Sequence, residues 1–195
     1  MEHEYLVGRD FRGKGVCSLE ILLGVDDPEE LDQGFSRKKG WPDDARFEMD
    51  PNAPKDMKLE DFLQNGSSFC VVSTRFKELV EKEKPPRVEY LPVSIINHKG
   101  RKEKAQYWIL HSTPMVKNAI DLKKTKAKRN NINPDVFSSV SNLTLDKKKI
   151  PPDLQLFRLE EFSLIALFRS DLAEKIQDAG MTGIEFLPPE TWTVL

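Results

Sequence analysis

The chain has 195 residues, of which 38% are hydrophobic and 32% charged, with a net charge of −2 and two cysteines. This suits one domain, or one domain with a small appendage, large enough to bury a core without staples. It excludes wholesale disorder, a disulfide framework and a global attraction to nucleic acid. No apolar run approaches the roughly 20 residues that cross a bilayer. The opening MEHEYLVGRDF lacks the basic-then-apolar build of a signal peptide, so a cytoplasmic protein is expected. The charge is unevenly placed: residues 20–61 hold 13 Asp/Glu against 6 Lys/Arg, whereas residues 97–150 hold 13 Lys/Arg against 4 Asp/Glu.

In chain order, EYLVGRD reads as a first strand and CSLEILLG as a second, ended by Gly24. Residues 25–57 are rich in Asp, Pro and Gly and read as a long irregular segment. KLEDFLQNG reads as a short helical turn stopped at Asn65-Gly66. FCVV (69–72) is a short apolar strand. Ser73 or Thr74 can cap the following helix, which places Phe76, Leu79 and Val80 on one face. Pro85-Pro86 stops that helix. RVEYLPVSI alternates as a strand, NHKGRKEK turns a hairpin at Lys99-Gly100, and AQYWILHS returns. KNAIDLKKTKAKRN becomes a basic loop, SSVSNLTLD is extended, and KIPPDLQLFRLEEF is a proline-broken connector. LIALF (164–168) is a strand. Ser170 can cap SDLAEKIQDAG, Gly180 stops it, and GIEFLPP is the last strand.

The phrase VEYLPV (88–93) nearly returns as IEFLPP (184–189). Residues 69–92 align with 165–188 without a gap, with Glu78/Glu174, Glu89/Glu185, Leu91/Leu187 and Pro92/Pro188 identical. Duplication explains this, and so does the common grammar of any two strand–helix–strand units of equal length. The expected fold is α/β or α+β: a mixed β-sheet fed by two similar strand–helix–strand units, about 69–95 and 164–188, with an irregular acidic N-terminal third. The two strands of each unit should run parallel. Residues 1–67 then comprise N-terminal strands and the acidic segment, packed on the same domain as residues 68–195.

Catalytic motifs are not legible. GRDFRGKG lacks phosphate-loop spacing, and there is no G-x-S-x-G or H-E-x-x-H. His98 and His111 flank one hairpin and are the only pair that could form an enzymatic site; neither has metal-ligand spacing to Cys, Asp or Glu. Cys17 and Cys70 read as buried small residues. The basic residues Lys123, Lys124, Lys126, Lys128, Arg129, Lys147, Lys148 and Lys149 offer a nucleic-acid alternative, but lack the interleaved aromatics that stack bases. They read equally as a solvated loop or a docking patch.

VEYLPV, the Tyr107-Trp108 strand, IP followed by LFRL, and DLAEKI…AGMTGIEFLP together resemble the immunity-protein family of bacterial polymorphic toxin systems, abundant in myxobacteria. The resemblance covers about residues 68–188; the N-terminal third resembles nothing recognised. It implies binding, not turnover, with no cofactor and no catalytic residue: such a protein docks on a cognate toxin and blocks its active site or substrate path. An acidic surface steers toward the basic cleft of a toxin that acts on nucleic acid or nucleotides. Asp26, Asp27, Glu29, Glu30, Asp32, Asp43 and Asp44 supply that charge. Trp41 is either an interface anchor or a residue buried under its own loop.

Overall fold

The computed structural model describes residues 3–113 and 115–194. Its strands are β1 (Tyr5–Asp10), β2 (Arg46–Glu48), β3 (Phe62–Leu63), β4 (Cys70–Ser73), β5 (Val88–Ile96), β6 (Tyr107–Ser112), β7 (Lys126–Arg129), β8 (Phe137–Ser141), β9 (Leu156–Leu159), β10 (Phe162–Arg169), β11 (Ile184–Leu187) and β12 (Thr193–Val194). The helices are α1 (Glu29–Asp32), α2 (Thr74–Lys82) and α3 (Ser170–Asp178), with 3-10 turns at Lys147–Lys149 and Pro189–Thr191. The described strands form three sheets, ordered β2-β5-β6-β4-β3, β11-β1-β10-β9 and β12-β8-β7. The fold is therefore mostly β, mixed in strand direction and α+β-like.

α2 follows β4 directly, and α3 follows β10. Ser73 caps α2: its Oγ accepts the Phe76 N–H at 3.2 Å and its hydroxyl donates to Asp61 Oδ1 at 2.7 Å. Ser170 caps nothing. It is the first residue of α3, and its own N–H donates to the Glu4 carbonyl at 2.9 Å. β4 and β5 each pair antiparallel with β6, so they run parallel to each other on its two sides. β10 and β11 flank β1 in the same way. The phrases VEYLPV and IEFLPP thus enter two different sheets, not the one mixed sheet expected from sequence.

Period-two alternation lets each sheet bury both faces. On β4 and β6, Val72 and Leu110 face α2 and α3, in a core with Phe76, Leu172 and Ile176. Val71 and Ile109 face the other way, into a core with Leu19, Leu31 and Phe47 of the N-terminal third. On β10, Ala166 and Phe168 face the helices, while Ile165 and Leu167 join Val140, Leu143 and Trp192.

Several sequence expectations change. Residues 17–24 form no strand; isolated bridges join Leu19 to Met49 and Asn65, and Leu23 to Arg46. The segment 25–57 is not wholly irregular, since it contains α1 and β2. The expected helical turn near residue 62 is β3: Phe62 and Leu63 are both buried, and they pair with Val72 and Val71. KAKR is an edge strand instead of a loop, and LFRL is a strand instead of a connector. In each case tertiary pairing supplies hydrogen bonds that local propensity does not foresee.

Candidate docking face

The acidic segment lies along β5. Leu31 anchors α1 in the core at 1% exposure. The loop after α1 is tied at three consecutive residues. His111 Nε2 lies 2.7 Å from the Phe35 carbonyl, Ser36 Oγ donates to Glu89, and the Arg37 N–H donates to Glu89 Oε2 at 3.0 Å. Because a carbonyl can only accept, His111 carries its proton on Nε2. Glu89 and His111 are cross-strand partners on β5 and β6, so one rung of the sheet holds the whole loop. The Phe35 N–H is itself bound by the Glu30 carbonyl at 3.0 Å. The backbone of Phe35 is fixed, yet its ring is 54% exposed.

Arg158, from β9, fastens α1 from the other side. Its guanidinium is 3.4 Å from Asp32 Oδ1 and 3.3 Å from the Ser68 carbonyl, and it lies over the Phe69 ring at 5.8 Å. Burial raises the Asp32 pKa, with Arg158 opposing that rise, and burial likewise lowers that of Arg158. Burial lowers the His111 pKa, against its bond to Phe35 and the charge of Glu89.

The sequence-selected residues divide into two stretches along β5. Asp26, Asp27 and Glu29 are exposed at α1. Glu30 is paired with Arg37, and Asp32 with Arg158. Trp41, Asp43 and Asp44 lie further along, where Asp44 is 3.8 Å from Arg46. Trp41 is partly buried against the core, and its indole N–H donates to the Pro92 carbonyl at 2.8 Å. Pro92 lies beyond the Ser94–Ile96 stretch that β2 covers, where a strand can lack an N–H. Trp41 closes that gap in the edge. Phe35 is instead the large apolar side chain that the acidic face exposes, and no sequence signal singles it out. Arg158 did leave one: an arginine inside the apolar run LFRL must find a buried partner.

His98 and His111 do not converge. His98 sits in the turn beyond Ile96, with Nε2 3.4 Å from the Asp56 carbonyl, whereas His111 pairs with Glu89 near the far end of the hairpin. At about 3.3 Å per residue the ladder separates them by roughly 30 Å, so they share no site. Burial raises the Cys17 and Cys70 thiols to about 11. The basic stretch is dispersed. Lys147 pairs with Glu4, Lys124 lies 3.7 Å from Asp121, and Lys149 lies 3.6 Å from Asp146. Arg129 covers the buried Phe137 ring at 5.3 Å. Lysines along β7 suit an open sheet edge, where they discourage further strand pairing. Among the described residues, no group of three or more His, Cys, Asp or Glu could hold a metal ion, and no helix is long and apolar enough to cross a membrane.

The model of the Imm11 immunity protein family matches residues 12–191. The chain belongs to this family. The Imm11 match begins well before residue 68, so it takes in the acidic third that resembled nothing by itself. A search of curated proteins finds no match to this Imm11 chain.

Proposed function

We propose that this Imm11 chain neutralises a cognate bacterial toxin in the cytoplasm by docking on it and covering its active site or substrate path. In this reading residues 1–67 supply the docking face and residues 68–195 the scaffold, and the protein needs neither turnover nor a cofactor. The observation that carries the reading is the fixed loop at α1. It presents a half-exposed Phe35 beside the exposed carboxylates of Asp26, Asp27 and Glu29, on a backbone held by His111, Glu89 and Arg158. An aromatic anchor on a fixed backbone loses little entropy on binding, and the surrounding carboxylates steer toward a basic cleft. Trp41, Asp43 and Asp44 extend the charged surface along β5.

The test is co-expression with the toxin encoded beside this gene, scored by survival and by recovery of a complex. Phe35→Ala is expected to weaken the complex by tenfold or more while leaving the fold unchanged. Rescue without a complex refutes neutralisation by docking. An unchanged affinity of Phe35→Ala removes this face from the interface.

A further inference from the structure

From the groove between β2 and the β5–β6 turn we infer a socket for an arginine side chain of the toxin, a contact that deepens the docking reading and rests on it. The Glu20 N–H donates to the Glu48 carbonyl at 2.8 Å, beside the Leu19–Met49 bridge, which makes Glu20 and Glu48 cross-strand neighbours. Glu48 in turn faces Ile96 in the pairing of β2 with β5. Two carboxylates and an isoleucine therefore form one row across three chain segments.

This row lines an open groove of about 560 Å³, together with Met49, Pro51, Pro54 and His98. Like charges directly opposite one another destabilise a ladder unless a cation relieves them. The chain supplies little relief of its own. Arg46 approaches Glu48 only to 3.9 Å and divides its contacts with the Asp44 carboxylate at 3.8 Å and the Asp44 carbonyl at 3.3 Å. Glu20 has no ion-pair partner among the described residues. Apolar walls beside two adjacent carboxylates match a long aliphatic stem with a cationic head. The planar guanidinium fork can engage both carboxylates at once, which a single ammonium does less well. The groove is open enough for a side chain from another protein, and it lies on the same acidic third as the face around Phe35.

A direct test is an NMR titration of the full chain with acetyl-arginine amide, using acetyl-citrulline amide as the uncharged isostere. Saturable shifts of the Glu48, His98 and Gly100 amides are expected with arginine, reduced by added salt and lost in the E20Q/E48Q variant. Equal shifts with citrulline, or shifts that survive in the double variant, overturn the socket. In parallel, E20Q/E48Q is expected to bind the toxin at least tenfold more weakly than the unaltered chain, with an unchanged melting temperature. Unchanged affinity of the double variant overturns the socket as a toxin contact and leaves docking through Phe35 intact. Arginine-specific shifts without any toxin complex keep the cation site and refute the docking reading.

Discussion

Replacing Asp32 by alanine isolates the contact that fastens the acidic face to the scaffold. The Arg158 side chain is 7% exposed and the Asp32 side chain 42% exposed. Stranding a fully buried charge costs about 3–5 kcal/mol, whereas an exposed pair contributes about 0–1 kcal/mol. This pair lies between those limits. Its 3.4 Å contact is long, water already reaches the carboxylate, and the Ser68 carbonyl and Phe69 ring remain to hold Arg158 after the change. A loss of about 2 kcal/mol is expected for Asp32→Ala, measured by urea unfolding at pH 7. Asp44→Ala is the control, because Asp44 and Arg46 are both exposed enough that their 3.8 Å pair should contribute under about 0.5 kcal/mol. Arg158→Met should cost less than Asp32→Ala, because it removes the buried charge along with its need for a partner. If Asp32→Ala and Asp44→Ala are equally mild, the clamp contributes nothing and the α1 face is held by Leu31 alone.

Acid should weaken the fold through His111. Its folded pKa lies below the ordinary 6.5, so the unfolded chain binds the proton first. Stability is full above about pH 7 and falls as pH drops through 6.5 toward the lowered folded value; His111→Gln should flatten that dependence in urea melts at pH 7.5 and 5.5. Asp171 titrates in a separate window: its bond to Arg169 lowers its pKa, so its contribution is lost only as pH falls below 3.8. Cys17 and Cys70, both buried with thiols raised to about 11, should resist a thiol reagent at pH 8 until urea unfolds the chain. Fast native labelling of either would contradict their burial. Ser73→Ala should cost about 1–2 kcal/mol in the same unfolding assay, because the Phe76 N–H and Asp61 each lose a partner; Ser73→Asp should restore the cap but repel Asp61.

Local pattern explains the elements that succeeded. FCVV, VEYLPVSI and YWILHS alternate or run apolar over lengths that suit only strands, and both helices show one apolar face between clear stops. The elements that sequence missed have weak local patterns. β3 is two residues long, β7 is a run of lysine and arginine broken by alanine, and β9 follows two prolines. Each becomes a strand because a distant strand offers its backbone a ladder: β4 for β3, β8 for β7, and β10 for β9.

The site divides in the same way. Composition alone placed the acidic residues in the first third, and charge along the chain needs no folding to be read. Which of them remain exposed, and which are spent on Arg37 and Arg158, depends on contacts across as many as 126 positions. The same holds for the aromatics. Trp41 and Phe35 sit six positions apart in similar surroundings, but the Pro92 carbonyl claims one, and the His111–Glu89 rung fixes the backbone of the other with its ring outward. Sequence by itself determined the strand–helix grammar, the charge asymmetry and the family markers, because each is written in neighbouring residues. Only the tertiary structure decided the sheet order, the partners of the acidic residues and the aromatic that faces solvent, because those depend on which distant backbone groups come within hydrogen-bond reach.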